Sequence, residues 1–291
     1  MFKIQSHQMK SFEEAILRRF EDEMVVHSKE FTPWLCEVIG EEQLRVALRQ
    51  AIARAGSYGF TYRGPIRLYV ELMLLCGSAF DTDPQYAAVG ECLRASGDQM
   101  QRAEHIYQKA GDYLDKISGY GMRNMHKALD ALSVLTQMPM TYSPREFTTI
   151  MLHEVHRVFP QKADYIGDEQ LTALIYEGRA EAQKYGYHTS RGEALVVMLM
   201  FAFGHGCTND PIYPWIARVL RDERSLGPAA HAERLEQKRS LGSVTSLQSP
   251  AKERKRERRS TKANPSEFEK WWDFPDLHHT GMQLQGNSQN R

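Results

Sequence analysis

A chain of 291 residues that is 42 % hydrophobic, 10 % aromatic and 25 % charged can bury one or two substantial cores and is too apolar to be disordered as a whole. Lys plus Arg and Asp plus Glu each total 37, which excludes a global field of one sign that would collect nucleic acid or an anionic membrane. The N-terminal residues lack a signal-peptide core, and the longest apolar run, 194–203, falls short of the roughly 18 residues of a membrane span. A cytoplasmic protein without a span is therefore expected, with Cys36, Cys76, Cys92 and Cys207, none in a C-x-x-C pair, reduced and mostly buried.

In chain order, the pattern predicts a first helix opening at Ser11, with Glu14 completing a capping box and Phe12, Ile16, Phe20 and Met24 forming a buried stripe up to Pro33. Residues 38–44, VIGEEQL, read as a loop and the first turn of a second helix. Gly40 frees the backbone there, Glu41 and Glu42 suit the positive end of the helix dipole, and Leu44, Leu48, Ala51 and Ala55 face inward up to a cap at Gly59. A third helix is predicted over 65–76, and a fourth from Asp83 and Pro84 as N-cap and first helical residue. A fifth covers 98–117, and a connecting helix covers 122–136 with Met125, Leu129, Leu132 and Leu135 on one side.

From there the chain repeats itself. Residues 20–94 align without a gap on 147–221, and 22 of the 75 positions are identical, where chance gives roughly 5 at a background identity of about 6 %. The pairs include Phe20/Phe147, Gly40/Gly167, Gly59/Gly186, Gly77/Gly204, Asp83/Asp210 and Tyr86/Tyr213. The second copy is expected to open at Ser143, with Pro144 and Glu146 as its capping box, and to place the nearly all-apolar helix 192–203 at its centre. A last helix is expected over 228–241.

No strand pattern appears. The expected fold is all-α: a helical repeat over 1–119, a connecting helix over 120–141, a second repeat over 142–241 and a disordered tail over 242–291. The tail is rich in Ser, Gln, Lys, Arg and Asn, which cannot offset the entropy of ordering a chain. Within it, Trp271, Trp272 and Phe274 stand among acids in 267–277, and aromatics in so polar a setting need something to bury against, either the body or a partner.

The chemistry-bearing motifs are sparse. His153 and His156 resemble half of a zinc helix, but their spacing is one residue short of H-E-x-x-H, and Val26 and Lys29 replace them in the first copy. A solvent-facing histidine pair and no metal are expected. His205 and Cys207 invite a thiol–imidazole reading, yet Ser78 and Phe80 stand in their place in the first copy, so Cys207 reads as a core filler. The run 252–262 holds seven Lys or Arg against two Glu with no aromatic to stack on bases, so nucleic acid is an unlikely principal partner. Neither catalytic residues nor cofactors are expected. Tyr86 and Tyr213 could line a contact surface, although a ring packed beside a proline-started helix is the simpler account.

The shared pattern, G-x-E-Q-L, then A-x-x-Y-G, then an apolar helix with L-M and a glycine, then D-P-x-Y, resembles a group of small bacterial helical proteins often encoded beside type VI secretion spike and effector genes. The opening MFKIQSHQMKSFEEAILRRFEDEMVVH and the segment FGHGCTNDPIYPW, with Tyr213 and Trp215, are similar to their N-terminus and their FG…D-P-x-x-P-W segment. This chain departs in holding two copies and in carrying Ala87 and Ala88 where the second copy has Pro214 and Trp215. The resemblance implies a non-enzymatic partner of a secreted effector or spike-complex protein, either an immunity protein or an adaptor. Binding is then expected in a groove between the copies, with Tyr86, Tyr213 and Trp215 as contacts and Trp271, Trp272 and Phe274 as an auxiliary docking segment. The rivals are a nucleic-acid-associated regulator using the basic tail and a metal- or thiol-dependent hydrolase.

Overall fold

Helix-favouring runs punctuated by Pro and Gly give this chain its elements, and the computed structural model describes them for residues 6–137, 143 and 145–222. The expected helix 228–241, the tail 242–291 and Trp271, Trp272 and Phe274 lie outside the described residues. The fold is all-α: among the described residues there are eleven helices and no strand. In order they are α1 (Ser6–Phe31), α2 (Pro33–Ser57), α3 (Arg63–Cys76), α4 (Ala87–Arg94), α5 (Gln99–Ser118), α6 (Arg123–Gln137), α7 (Phe147–Val158), α8 (Pro160–Ile166), α9 (Asp168–Lys184), α10 (Ser190–Phe203) and α11 (Pro214–Asp222).

The glycines that align between the two segments adopt the same backbone. Gly40 breaks α2 at φ 76°, ψ 160°, and Gly167 separates α8 from α9 at φ 83°, ψ 155°. Only a residue without Cβ accepts such angles without strain. Gly59 and Gly186 follow the caps of α2 and α9 at φ 76° and 80°. The third helix of each copy starts two residues earlier than its sequence suggests, at Arg63 and Ser190, and Thr189 caps α10 by accepting from the Gly192 N–H.

Three expectations are corrected. First, α1 begins at Ser6 and runs helically through Ser11, because Gln8, Met9 and Lys10 favour a helix as much as their successors do. Its inner stripe is buried only from Phe20 onward. Phe12 is 56 % exposed and Ile16 43 %, since α7, the matching helix of the second copy, starts only at Phe147, the counterpart of Phe20. Second, Ser143 opens a turn through Glu146 N–H to Ser143 O, and α7 begins after it without a side-chain cap. Third, Asp83 and Asp210 cap the single turns that precede α4 and α11, accepting from the N–H groups of Gln85 and Ile212.

The halves meet where α3 and α10 end. A Cβ on Gly77 would lie 2.7 Å from the Phe203 carbonyl oxygen, and one on Gly204 would lie 2.8 Å from that of Cys76, so the backbones touch reciprocally. Phe20, Leu44, Tyr69 and Leu93 join Met151, Leu171, Val197 and Leu220 in one hydrophobic cluster. Residues 192–201 of α10 are all buried, as its all-round apolarity requires. No helix among the described residues is long and apolar enough to cross a membrane.

Candidate functional site

Packing of the two halves leaves, among the described residues, a cleft of about 170 Å³ walled by the end of α3, the start of α4, α5, the end of α8 and the start of α9. Its walls are mainly apolar, with Leu72, Leu75, Phe80, Val89, Leu114 and Ile166 contributing. Three tyrosines cross it from one copy to the other. The Tyr86 and Tyr113 rings meet edge to face with centroids 5.2 Å apart, and Tyr113 meets Tyr165 in the same way at 5.2 Å. Tyr165 also donates its phenolic O–H to Asp112, while the Lys116 ammonium lies 5.3 Å from its ring centroid. Such offset geometries align the positive edge of one ring with the negative face of the next.

The polar atoms at the cleft floor are mostly satisfied. Gln85, 3 % exposed, donates through Nε2 to Asp83 Oδ2 at 3.1 Å and to the Met200 carbonyl at 3.0 Å, which fixes the orientation of its amide. Its Oε1 is buried and has no hydrogen-bond partner among the described residues. A buried acceptor left unmade costs about 1–3 kcal/mol, so this atom would gain from any donor that reached it.

Behind the tyrosines lies a buried amine. Lys162 is 4 % exposed and stands where the first copy has Leu35. Its Nζ donates to the Phe201 carbonyl at 2.5 Å and lies 4.8 Å from the Phe201 ring centroid and 6.0 Å from that of Tyr86. It thereby satisfies a last-turn carbonyl at the negative end of α10. Burial lowers its pKa to about 8 against the opposing pull of Asp83. Burial likewise pushes the Cys76 thiol up to about 12, with a Tyr86 hydrogen bond opposing.

Other clusters with chemical groups are braces. Asp81 is held by the Arg54 guanidinium and accepts from the O–H groups of Tyr58 at 3.0 Å and Tyr69 at 2.9 Å, so its oxygens are occupied. His205 spans the halves, with Nδ1 2.9 Å from Glu177 Oε1 and Nε2 3.1 Å from Thr82 Oγ1. Cys207 is fully buried, and burial raises its thiol well above the usual range. His156 lies 2.9 Å from Asp168 and 3.3 Å from Asp164 at the surface, and the His153 side chain is exposed.

Of the residues expected from sequence to meet a partner, Tyr86 and Tyr213 are buried, so neither offers an open ring from the surface. Tyr86 nevertheless lines the cleft. Trp215 is half-buried and packs edge to face on Phe203 with centroids 5.8 Å apart. Gln85, Tyr113, Lys162 and Tyr165 carry no motif. Their one sequence signal is disagreement between copies, such as lysine at 162 against leucine at 35, and alanine at 88 against tryptophan at 215.

No protein-family model, curated protein or solved structure matches the chain.

Proposed function

We propose that this protein is a non-enzymatic binding partner of another protein, acting in the cytoplasm. The partner suggested by the resemblance is a secreted effector or spike-complex protein of a type VI apparatus, met by an immunity protein or a loading adaptor. The observation that carries the binding reading is the apolar, tyrosine-lined cleft between the copies, with the buried Gln85 Oε1 lacking a donor. Pockets of this make-up, mainly apolar with a few placed polar groups, bury and orient a ligand group. The raised thiols of Cys76 and Cys207 fit that reading, because the thiolate and not the thiol is the nucleophile.

Co-purification of the full chain with the product of an adjacent effector or spike gene tests the proposal. A stable complex that is lost on filling the cleft by Ala88→Trp or Ala110→Trp, both lining positions, is the expected result. Absence of a complex with every adjacent gene product would sink the secretion reading. A complex indifferent to both substitutions would move the contact elsewhere.

A further inference from the structure

We propose that the cleft is an indole-binding site and that its resident occupant is the chain's own segment 267–277, seated through Trp271 or Trp272. The second copy shows what this fold puts in the equivalent place. There Tyr213, Phe203 and Trp215 form an aromatic trio, with Phe203 5.1 Å from Tyr213 and 5.8 Å from Trp215 between centroids. The equivalents in the first copy are Tyr86, Cys76 and Ala88. All three line the cleft. Phenylalanine has become cysteine and tryptophan has become alanine, so the cleft stands where a large aromatic group is missing.

Three further observations select the occupant. An indole N–H is a donor without an acceptor function, and Gln85, a lining residue, carries a buried Oε1 with no donor among the described residues. Segment 267–277 carries Glu267, Glu269, Asp273 and Asp276 against the single Lys270, and Lys109 stands in the cleft wall, while Lys116 beside Tyr165 is paired with Asp112 at 3.0 Å. The Lys109 charge favours an acidic segment over a basic one. Finally, Trp271 follows Asp222, the end of α11, by 49 positions, and a chain of that length reaches at most about 160 Å. The described body is about 40 Å across, so the cleft lies within reach. The proposal deepens the binding reading and rests on it for its role: a partner group and the tail would compete for one cleft.

Hydrogen exchange on the full chain, with no partner present, tests it. Amides of 267–277 are expected to exchange about tenfold or more slowly than those of 242–250 in the same molecule. Ala88→Trp and, independently, Ala110→Trp should abolish that difference. The paired substitution Trp271→Ala and Trp272→Ala changes none of the described residues, and should speed exchange in 85–89 and 109–114. Equal exchange of the two tail segments overturns the proposal. So does slowing that survives both cleft-filling variants, slowing that scales with protein concentration, or cleft amides indifferent to the tail variant. If the tail is seated but no adjacent gene product binds, the secretion reading fails and this inference stands.

Discussion

Asp83 and Asp210 occupy equivalent positions in the two copies, and each reaches across to the main chain of the other half. Asp83 Oδ2 accepts from the His205 N–H at 2.7 Å, and Asp210 Oδ2 accepts from the Ser78 N–H at 2.7 Å. Ser78 and His205 are themselves equivalent, so the exchange obeys an approximate two-fold relation. Each carboxylate also closes its own turn, at Gln85 and at Ile212. Both are buried, and burial raises their pKa further than these hydrogen bonds lower it.

Asp83→Ala strands the N–H groups of Gln85 and His205 and leaves Gln85 Nε2 with the Met200 carbonyl alone. Loss of about 3 kcal/mol is expected, with Asp210→Ala costing about 2 kcal/mol, because unpaired buried donors keep their full desolvation penalty. Urea denaturation should show lower midpoints at an unchanged slope. A loss under about 0.5 kcal/mol for either would mean that the exchange contributes nothing to joining the halves.

Gly204 and Gly186 separate two roles of glycine. Both have positive φ, at 93° and 80°, but a Cβ at Gly204 would lie 2.8 Å from the Cys76 carbonyl oxygen, whereas one at Gly186 meets nothing within 4 Å. Gly186→Ala should therefore cost about 1 kcal/mol of backbone strain, and Gly204→Ala about 3 kcal/mol or more because the halves must also part. Thermal melts of the two variants in one buffer compare them directly. Equal losses would show that close approach adds no constraint.

The internal sequence match made the scaffold legible. Glycines at 40, 59 and 77 recur at 167, 186 and 204, and each pair takes the same positive φ because the same turn is being made twice. Patterning placed α10 at the centre and α5 at its Asp98 cap correctly. It failed for Phe12 and Ile16, where helical periodicity continues past the point at which a neighbouring helix exists to cover it. The cleft was illegible for a different reason. Cys76, Ala88 and Tyr113 come together only through packing of α3, α4 and α5, and absence of a large side chain leaves no positive signal in one copy. Comparison with Phe203 and Trp215 supplies that signal, but only once the structure shows those two rings in contact.

Lys162 gives stability an unusual alkaline limb. Its pKa is about 8 in the folded protein against 10.5 for an ordinary lysine, so between those values the unfolded chain binds more protons. The contribution of Lys162 to stability then rises with pH across that window, by about 3 kcal/mol at most. Lys162→Met should flatten this limb while retaining the fold, since the stem's volume is kept. Chemical denaturation of both proteins at pH 7.5, 9 and 10.5 measures it as the difference between them, because the raised thiols of Cys76 and Cys207 pull stability the other way over the same window; a difference that does not change with pH would show that the amine is not desolvated as described.

Thiol accessibility distinguishes a binding protein from a thiol-dependent enzyme. Burial raises the pKa of Cys36, Cys76 and Cys207. Titration of the native chain with an aromatic disulfide reagent at neutral pH should therefore leave the buried Cys36 and Cys207 unreacted over minutes, while the partly buried Cys76 and Cys92 react first. Fast modification of Cys207 would restore the thiol reading of the His205–Cys207 pair.

His205 ties protonation to contact between the halves. Burial alone would lower its pKa, but the Glu177 hydrogen bond and the nearby Asp83 outweigh it and the net shift is upward from 6.5. A base raised in the folded state lends stability that is fully present below its unfolded pKa and is lost as pH rises through the folded one. Melting temperature should therefore fall from pH 6 to pH 8 in the wild type and fall less in Glu177→Gln, where the neutral amide holds no charge against the ring. An NMR titration of the His205 ring carries the same sign: its midpoint should lie above 6.5 in the wild type and move down in Glu177→Gln. Identical midpoints in the two proteins would detach the shift from Glu177 and leave Asp83, whose carboxylate already accepts from the His205 main chain, as its source.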